Sequence, residues 1–128
     1  MDSRRPVVVL VDDDDQLIRM YRVGLERAGY RVESCGCGEQ LVTLLRDVTP
    51  DVVVLDWTLP GQNGGEILEA LRRDPKTYDL RVIMLSGISA GGPEAEKAKM
   101  AGAALWLDKA QTDPLKLART VDSVFERR

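Results

Sequence analysis

Four short apolar runs punctuate the chain: Val7–Val11, Val52–Leu55, Val82–Leu85 and Ala103–Leu107. Runs of this length without alternation suit strands covered on both faces, the condition of a parallel sheet lying between helices. Tyr30–Cys35 alternates more and reads as an edge strand. Helical patterns fill the gaps. Residues 16–28 place Leu17, Tyr21, Leu25 and Ala28 on one stripe, with Arg19, Arg22 and Glu26 turned outward. Leu41, Leu44, Leu45 and Val48 form a second stripe, and Ile67, Leu68 and Leu71 a third that stops at Asp74-Pro75. A weak, alanine-rich helix is expected from Pro93 to Ala101. The last helix opens on Asp113 as N-cap and Pro114 at its first position, and carries Ala118, Val121 and Phe125 inward.

Five strand–helix pairs in alternation predict an α/β fold, a doubly wound (βα)5 sheet in strand order 2-1-3-4-5. At 128 residues the whole chain, 1–128, is expected to be one domain with no output domain attached.

In such sheets the functional crevice lies beyond the carboxyl ends of the strands. The first run is followed by Asp12 and Asp13, the second by Asp56, the third by Ser86 and the fourth by Asp108-Lys109. With the first and third strands adjacent, three acids, a hydroxyl and a lysine converge on one pocket. Carboxylates at close quarters repel unless a cation sits among them. An all-oxygen set without histidine points to a hard ion that keeps open positions, which suits Mg²⁺. Ser86 and Lys109 are groups one would place around phosphoryl oxygens. A carboxylate can itself be the nucleophile and form an aspartyl phosphate. Asp56, followed by the proline- and glycine-punctuated loop Trp57–Gly64, is the better acceptor; Asp12 and Asp13 are better placed as ligands.

Composition narrows the chemistry further. The chain contains no histidine, which removes histidine acid–base catalysis and any histidine-borne phosphoryl group. A net charge of −3 argues against nucleic acid or an anionic membrane as a direct partner. The longest apolar run near the start is too short for a secretory signal or a membrane span, so a cytoplasmic location is expected. Cys35 and Cys37 read as free thiols.

Four segments together carry a family resemblance: Val9-Leu10-Val11-Asp12-Asp13, Asp56-x-x-Leu59-Pro60-x-x-x-Gly64, Val82-Ile83-Met84-Leu85-Ser86-Gly87 and Gly102-Ala103-x-x-Trp106-Leu107-x-Lys109. In this order and spacing the sequence resembles the receiver domain of two-component response regulators, a flavodoxin-like fold, over essentially its whole length. The resemblance implies Asp56 as phosphoacceptor, with Asp13, Asp56 and the carbonyl of Thr58 ligating Mg²⁺ and Asp12 acting through bound water. It implies that Lys109 and Ser86 stabilise the phosphoryl group, and that Ser86 and Trp106 are the switch residues. It implies a histidine kinase or histidine phosphotransfer protein as donor, and a downstream protein target on the face of the fourth helix, fifth strand and fifth helix. A phosphorylation-linked homodimer stays open. Such a domain is not an enzyme beyond its own phosphorylation and dephosphorylation.

The sequence departs from the family at Trp106, where tyrosine or phenylalanine is usual, and more consequentially after Lys109. Where proline usually follows the lysine, often after a cis bond, this chain has Ala110. A cis bond before a non-proline residue costs about 2.5–4 kcal/mol, so a trans Lys109–Ala110 bond is expected. The path of that loop, and the reach of Lys109, are left open. An alternative is therefore a pseudo-receiver, a protein-binding module that keeps the fold without the chemistry. A Mg²⁺-dependent aspartate phosphatase would need a second acid where Thr58 stands. A nucleotide or flavin binder would need a glycine-rich phosphate loop where four aspartates stand.

Overall fold

The computed structural model describes residues 5–126. Five strands, β1 (Val7–Val11), β2 (Arg31–Cys35), β3 (Val52–Leu55), β4 (Arg81–Ser86) and β5 (Leu105–Asp108), alternate with five helices. The helices are α1 (Asp15–Arg27), α2 (Gly38–Leu44), α3 (Gly64–Arg73), α4 (Pro93–Met100) and α5 (Pro114–Glu126). All four strand pairings are parallel, and the sheet order is β2-β1-β3-β4-β5, as the apolar runs predict.

Side-chain alternation along each strand divides the core in two. Val8 and Leu10 of β1, with Val52 and Val54 of β3, pack under α1 and α5 against Tyr21, Leu25, Leu117 and Val121. Val9 and Val11, with Val53 and Leu55, face Leu41, Ile67 and Leu68 of α2 and α3. The central strands are buried on both sides, which is why their sequences do not alternate. Truncating a fully buried leucine such as Leu68 or Leu117 to alanine in a core of this kind costs about 2–5 kcal/mol.

Several boundaries differ from the sequence reading, each for a local reason. The fifth strand begins at Leu105 instead of Ala103 because Gly102, at φ +86°, reverses the chain after α4. Ala103 N–H is still tied to the Ala98 carbonyl at 2.9 Å. In α1 the buried stripe runs through Ile18, Tyr21 and Leu25, while Ala28 is exposed as the C-cap. Helix α2 ends at Leu44, and Leu45 and Val48 reach the core from the turn that follows. A 3-10 turn over Lys109–Gln111, not expected from the sequence, separates β5 from α5. The start of α5 is as read: the Asp113 carboxylate accepts from Lys116 N–H at 2.8 Å.

Cys35 and Cys37 are both free thiols. Burial, with a smaller contribution from Cys37, pushes the Cys35 thiol up from 9.0 to about 11. The fold therefore favours the neutral thiol, and this contribution to stability is lost as pH rises from 9.0 toward 11. At pH 8 the native protein should carry roughly a hundredfold less Cys35 thiolate than the unfolded chain. Iodoacetamide labelling followed by peptide mapping should show Cys35 protected to a similar degree in the native state and released in denaturant. Equal labelling in both states would contradict this.

Candidate functional site

The register of the central strands builds the site. Val11 of β1 lies beside Leu55 of β3, so the residues that follow, Asp12 and Asp56, emerge together at the same end of the sheet. Carboxylate oxygens of Asp12, Asp13 and Asp56 lie within 4.8 Å of one another. Asp12 and Asp56 are buried, at 6% and 4% exposure, and Asp13 is exposed. Asp14 is not part of this cluster. It caps α1, accepting from Gln16 and Leu17 N–H at 3.0 and 3.2 Å.

Lys109 arrives from the far edge of the sheet and bridges the two buried acids. Its ammonium lies 2.7 Å from Asp12 Oδ2 and 2.9 Å from Asp56 Oδ2. The remaining oxygens take backbone donors: Asp14 N–H to Asp12 Oδ1 at 2.9 Å, and Thr58 N–H to Asp56 Oδ1 at 3.3 Å. Burial holds the Asp12 carboxyl above its ordinary value, although Lys109 and the Asp14 N–H pull it down. Burial also works to lower Lys109, but the hydrogen bonds and charges of Asp12 and Asp56 outweigh it, and the net shift is upward. Lys109 therefore stays charged throughout the physiological range.

The loop after Asp56 is held close. A capping box joins Asn63 and Glu66 at the start of α3, with bonds of 2.9 and 3.0 Å. Gly64 N–H donates to the Trp57 carbonyl at 2.6 Å. A Cβ at Gly64 would sit 2.3 Å from the Asp56 carbonyl oxygen, so only glycine permits this approach. Thr58 turns its side chain to solvent and contributes its backbone to the site.

Ser86 and Trp106 stand slightly apart. Ser86 is fully buried, and its hydroxyl accepts from Ile88 N–H at 3.2 Å. The half-buried Trp106 donates its indole N–H to the Ile88 carbonyl at 3.0 Å. Its ring also packs on Trp57, with centroids 5.7 Å apart and planes inclined at 47°. This contact has no sequence signal, because Trp57 follows β3 and Trp106 lies within β5, strands that are not neighbours in the sheet.

The Ala110 departure resolves through side chains that sequence reasoning missed. The described backbone contains no cis peptide bond, so Lys109–Ala110 is trans. The turn is fixed instead by Asp108, whose carboxylate accepts from Ala110 N–H at 2.9 Å. Thr112 hydroxyl donates to the Asp108 carbonyl at 2.8 Å, and Tyr21 hydroxyl donates to the Thr112 carbonyl at 2.5 Å. An aspartate two residues before an N–H donor is a recognisable turn signal, and it was available at Asp108. Proline at position 110 would remove the N–H that this turn uses.

An open doubly wound sheet with buried acids, a lysine bridge and a serine at its carboxyl edge defines a flavodoxin-like α/β module. The response regulator receiver domain profile matches residues 8–122. The chain belongs to that family, and so to two-component signalling proteins. It is 35% identical over 94 residues to the phosphate regulon transcriptional regulatory protein PhoB of Rhizobium meliloti, covering 73% of this chain and 40% of that protein. It is 39% identical over 74 residues to the DNA-binding response regulator MtrA of Mycolicibacterium smegmatis, covering 58% and 32% respectively. The chain thus spans well under half the length of these relatives. Among solved structures, chemotaxis response regulator CheY4 of Vibrio cholerae superposes with a TM-score of 0.84 at 28% identity, covering 94% of this chain and 99% of that one. The non-phosphorylated HemR receiver domain of Leptospira biflexa gives 0.85 at 29%, covering 97% of each. No described helix is long and apolar enough to cross a membrane.

The side-chain support of the Lys109 loop makes a testable case. Ala110→Pro should lower stability by about 1–3 kcal/mol, because it orphans Asp108 and pushes Lys109 out of the turn conformation. Urea denaturation would register this as a lower midpoint at unchanged slope. An unchanged or raised midpoint would show that the bond from Ala110 N–H to the Asp108 carboxylate does not hold the loop.

Proposed function

We propose that the domain accepts a phosphoryl group on Asp56 from a phosphohistidine on a histidine kinase or histidine phosphotransfer protein, and uses it as a conformational switch. One observation carries the reading. Lys109 is stretched across the sheet edge to neutralise two buried carboxylates that would otherwise repel. A structural role alone is a poor reason to bury such a group, since apolar packing of similar volume is often as stable.

The donor set fits Mg²⁺. It is all oxygen, and one lysine against three carboxylates leaves the pocket short of neutrality by the charge of one divalent ion. Asp12, Asp13 and Asp56 would hold the ion, with the Thr58 carbonyl as the fourth group suggested by the family resemblance. When bound, it would neutralise charge on the phosphoryl oxygens. The protein's own residues do the rest. An oxygen of Asp56 attacks phosphorus, the P–N bond to the donor imidazole breaks with its electron pair going to nitrogen, and the imidazole, already protonated on its other ring nitrogen, leaves as neutral histidine. Oδ1, held only by the long bond from Thr58, is the oxygen freer to react. Lys109 shifts from the carboxylates toward the new phosphoryl oxygens.

The acyl phosphate would carry about −1.5 to −2 charge where the carboxylate carried one, so phosphorylation makes an already negative pocket more so. Ser86 would turn its hydroxyl from Ile88 to the phosphoryl group, and Trp106 would follow the loop it is bonded to. The face of α4, β5 and α5 would carry that change to a downstream protein, here or in a dimer, within the cytoplasm. DNA binding, named for MtrA, lies outside what this domain's charge supports as a direct role.

Incubation with acetyl phosphate, read by intact mass, should give one phosphoryl adduct that requires Mg²⁺ and is absent in Asp56→Asn. Lys109→Ala should slow the adduct by at least about tenfold, the cost of one charge-assisted contact. A folded wild type that takes no adduct would instead favour the pseudo-receiver, a binding module that works unmodified.

A further inference from the structure

Ile88 is the point where the switch residues meet. Its N–H donates to the Ser86 hydroxyl at 3.2 Å and its carbonyl accepts from the Trp106 indole at 3.0 Å, so both of its backbone polar groups are held by side chains. The Trp106 anchor is only as firm as Trp106 itself. β5 is an edge strand of four half-buried residues, and an exposed edge alone does not fix an indole. One side of the ring packs against the core on the α2 and α3 face of the sheet, and Trp57 lies against it with centroids 5.7 Å apart. Trp57 directly follows Asp56, and its own ring is backed by Gly65, where a Cβ would come within 2.5 Å of it.

We propose that Trp57 is a positioning residue for Trp106, so that the two indoles form a latch between the acceptor loop and the β4–α4 loop. The acceptor then reaches Ile88 by two routes. One runs through the Ser86 hydroxyl to the Ile88 N–H, and the other through Trp57 and Trp106 to its carbonyl. Movement of Ser86 alone frees one backbone group; displacement of Trp57 as Asp56 is loaded frees the other. The dependence on loading rests on the function proposed above, whereas the resting latch does not.

The chain has only two tryptophans, so its indole N–H signals in nitrogen-15 NMR belong to the latch alone. Removing Trp57 as Trp57→Leu leaves one signal, from Trp106. Its hydrogen exchange should speed up at least about tenfold over wild type, and Trp57→Phe should restore it to within about threefold, since local opening sets the rate. A merely structural loss would instead lower the melting temperature and speed exchange in the core amides of β1 and β3 as well. Should Trp57→Leu fail to fold, Trp57→Met supplies the same comparison. Unchanged Trp106 exchange in a folded variant, or no rescue by phenylalanine, would overturn the latch.

Beryllofluoride with Mg²⁺, a phosphoryl mimic followed by fluorine NMR, then tests the loading route. The Ile88 amide shift should respond in wild type and by less than about half as much in Trp57→Leu, with the bound fluoride signal present in both. A full response in Trp57→Leu would overturn coupling through the latch. Absence of bound fluoride in wild type would count against the proposed function, while the resting exchange result still decides the latch.

Discussion

Two carboxylates that are almost wholly buried must share one cation, and much of this molecule is arranged around that constraint. Asp12 and Asp56 sit at 6% and 4% exposure within hydrogen-bond reach of the same ammonium. Bringing Lys109 to them requires the parallel order β2-β1-β3-β4-β5, which places all three residues at one end of the sheet. Burial resists the charges of Asp12 and Lys109; attraction outweighs it at Lys109 and only lessens it at Asp12. The pocket is a poor source of stability and a good place to receive further charge.

Holding that geometry falls to elements outside the central sheet. Lys109 follows the edge strand β5, none of whose four residues is fully buried, so its loop needs support from elsewhere. Tyr21 on α1 supplies it, through the Thr112 carbonyl and the Thr112 hydroxyl to Asp108. On the acceptor side, the Asn63–Glu66 capping box and the close approach of Gly64 keep the start of α3 against the Asp56 backbone. The site is thus pinned at both ends by bonds made outside the ladder, while Ser86 and Trp106 hold a loop that has few other anchors.

The strands of the central sheet and the convergence of Asp12, Asp13, Asp56 and Lys109 were legible because two physical signals coincide. Continuous apolar runs mark strands buried on both faces, and the first polar residue after each marks the sheet edge. The fifth strand was harder to read. Ala103 continues the apolar run, but Gly102 turns the chain there and the strand starts two residues later. Ala28 fits a helical stripe on paper and lies exposed at the cap, where the period no longer applies. The loop around Ala110 depends on a bond between residues 91 apart, Tyr21 and Thr112, and the Trp57–Trp106 contact joins the loop after β3 to a residue within β5, a strand that is not its neighbour. Neither leaves a trace in local pattern. Aspartate at 108 did, as an ordinary turn residue, but only the fold shows that its carboxylate takes the Ala110 N–H.

On the proposed function, the buried bridge presents Asp56, and no other acid of the cluster, as the group that forms the acyl phosphate. Borohydride reduction addresses this directly, because it converts an aspartyl phosphate to homoserine and leaves free carboxylates intact. After phosphorylation in Mg²⁺ and reduction, peptide mass spectrometry should find homoserine at position 56 alone. Homoserine at Asp12 or Asp13, or at no position in a protein that had gained a phosphoryl group, would contradict the account.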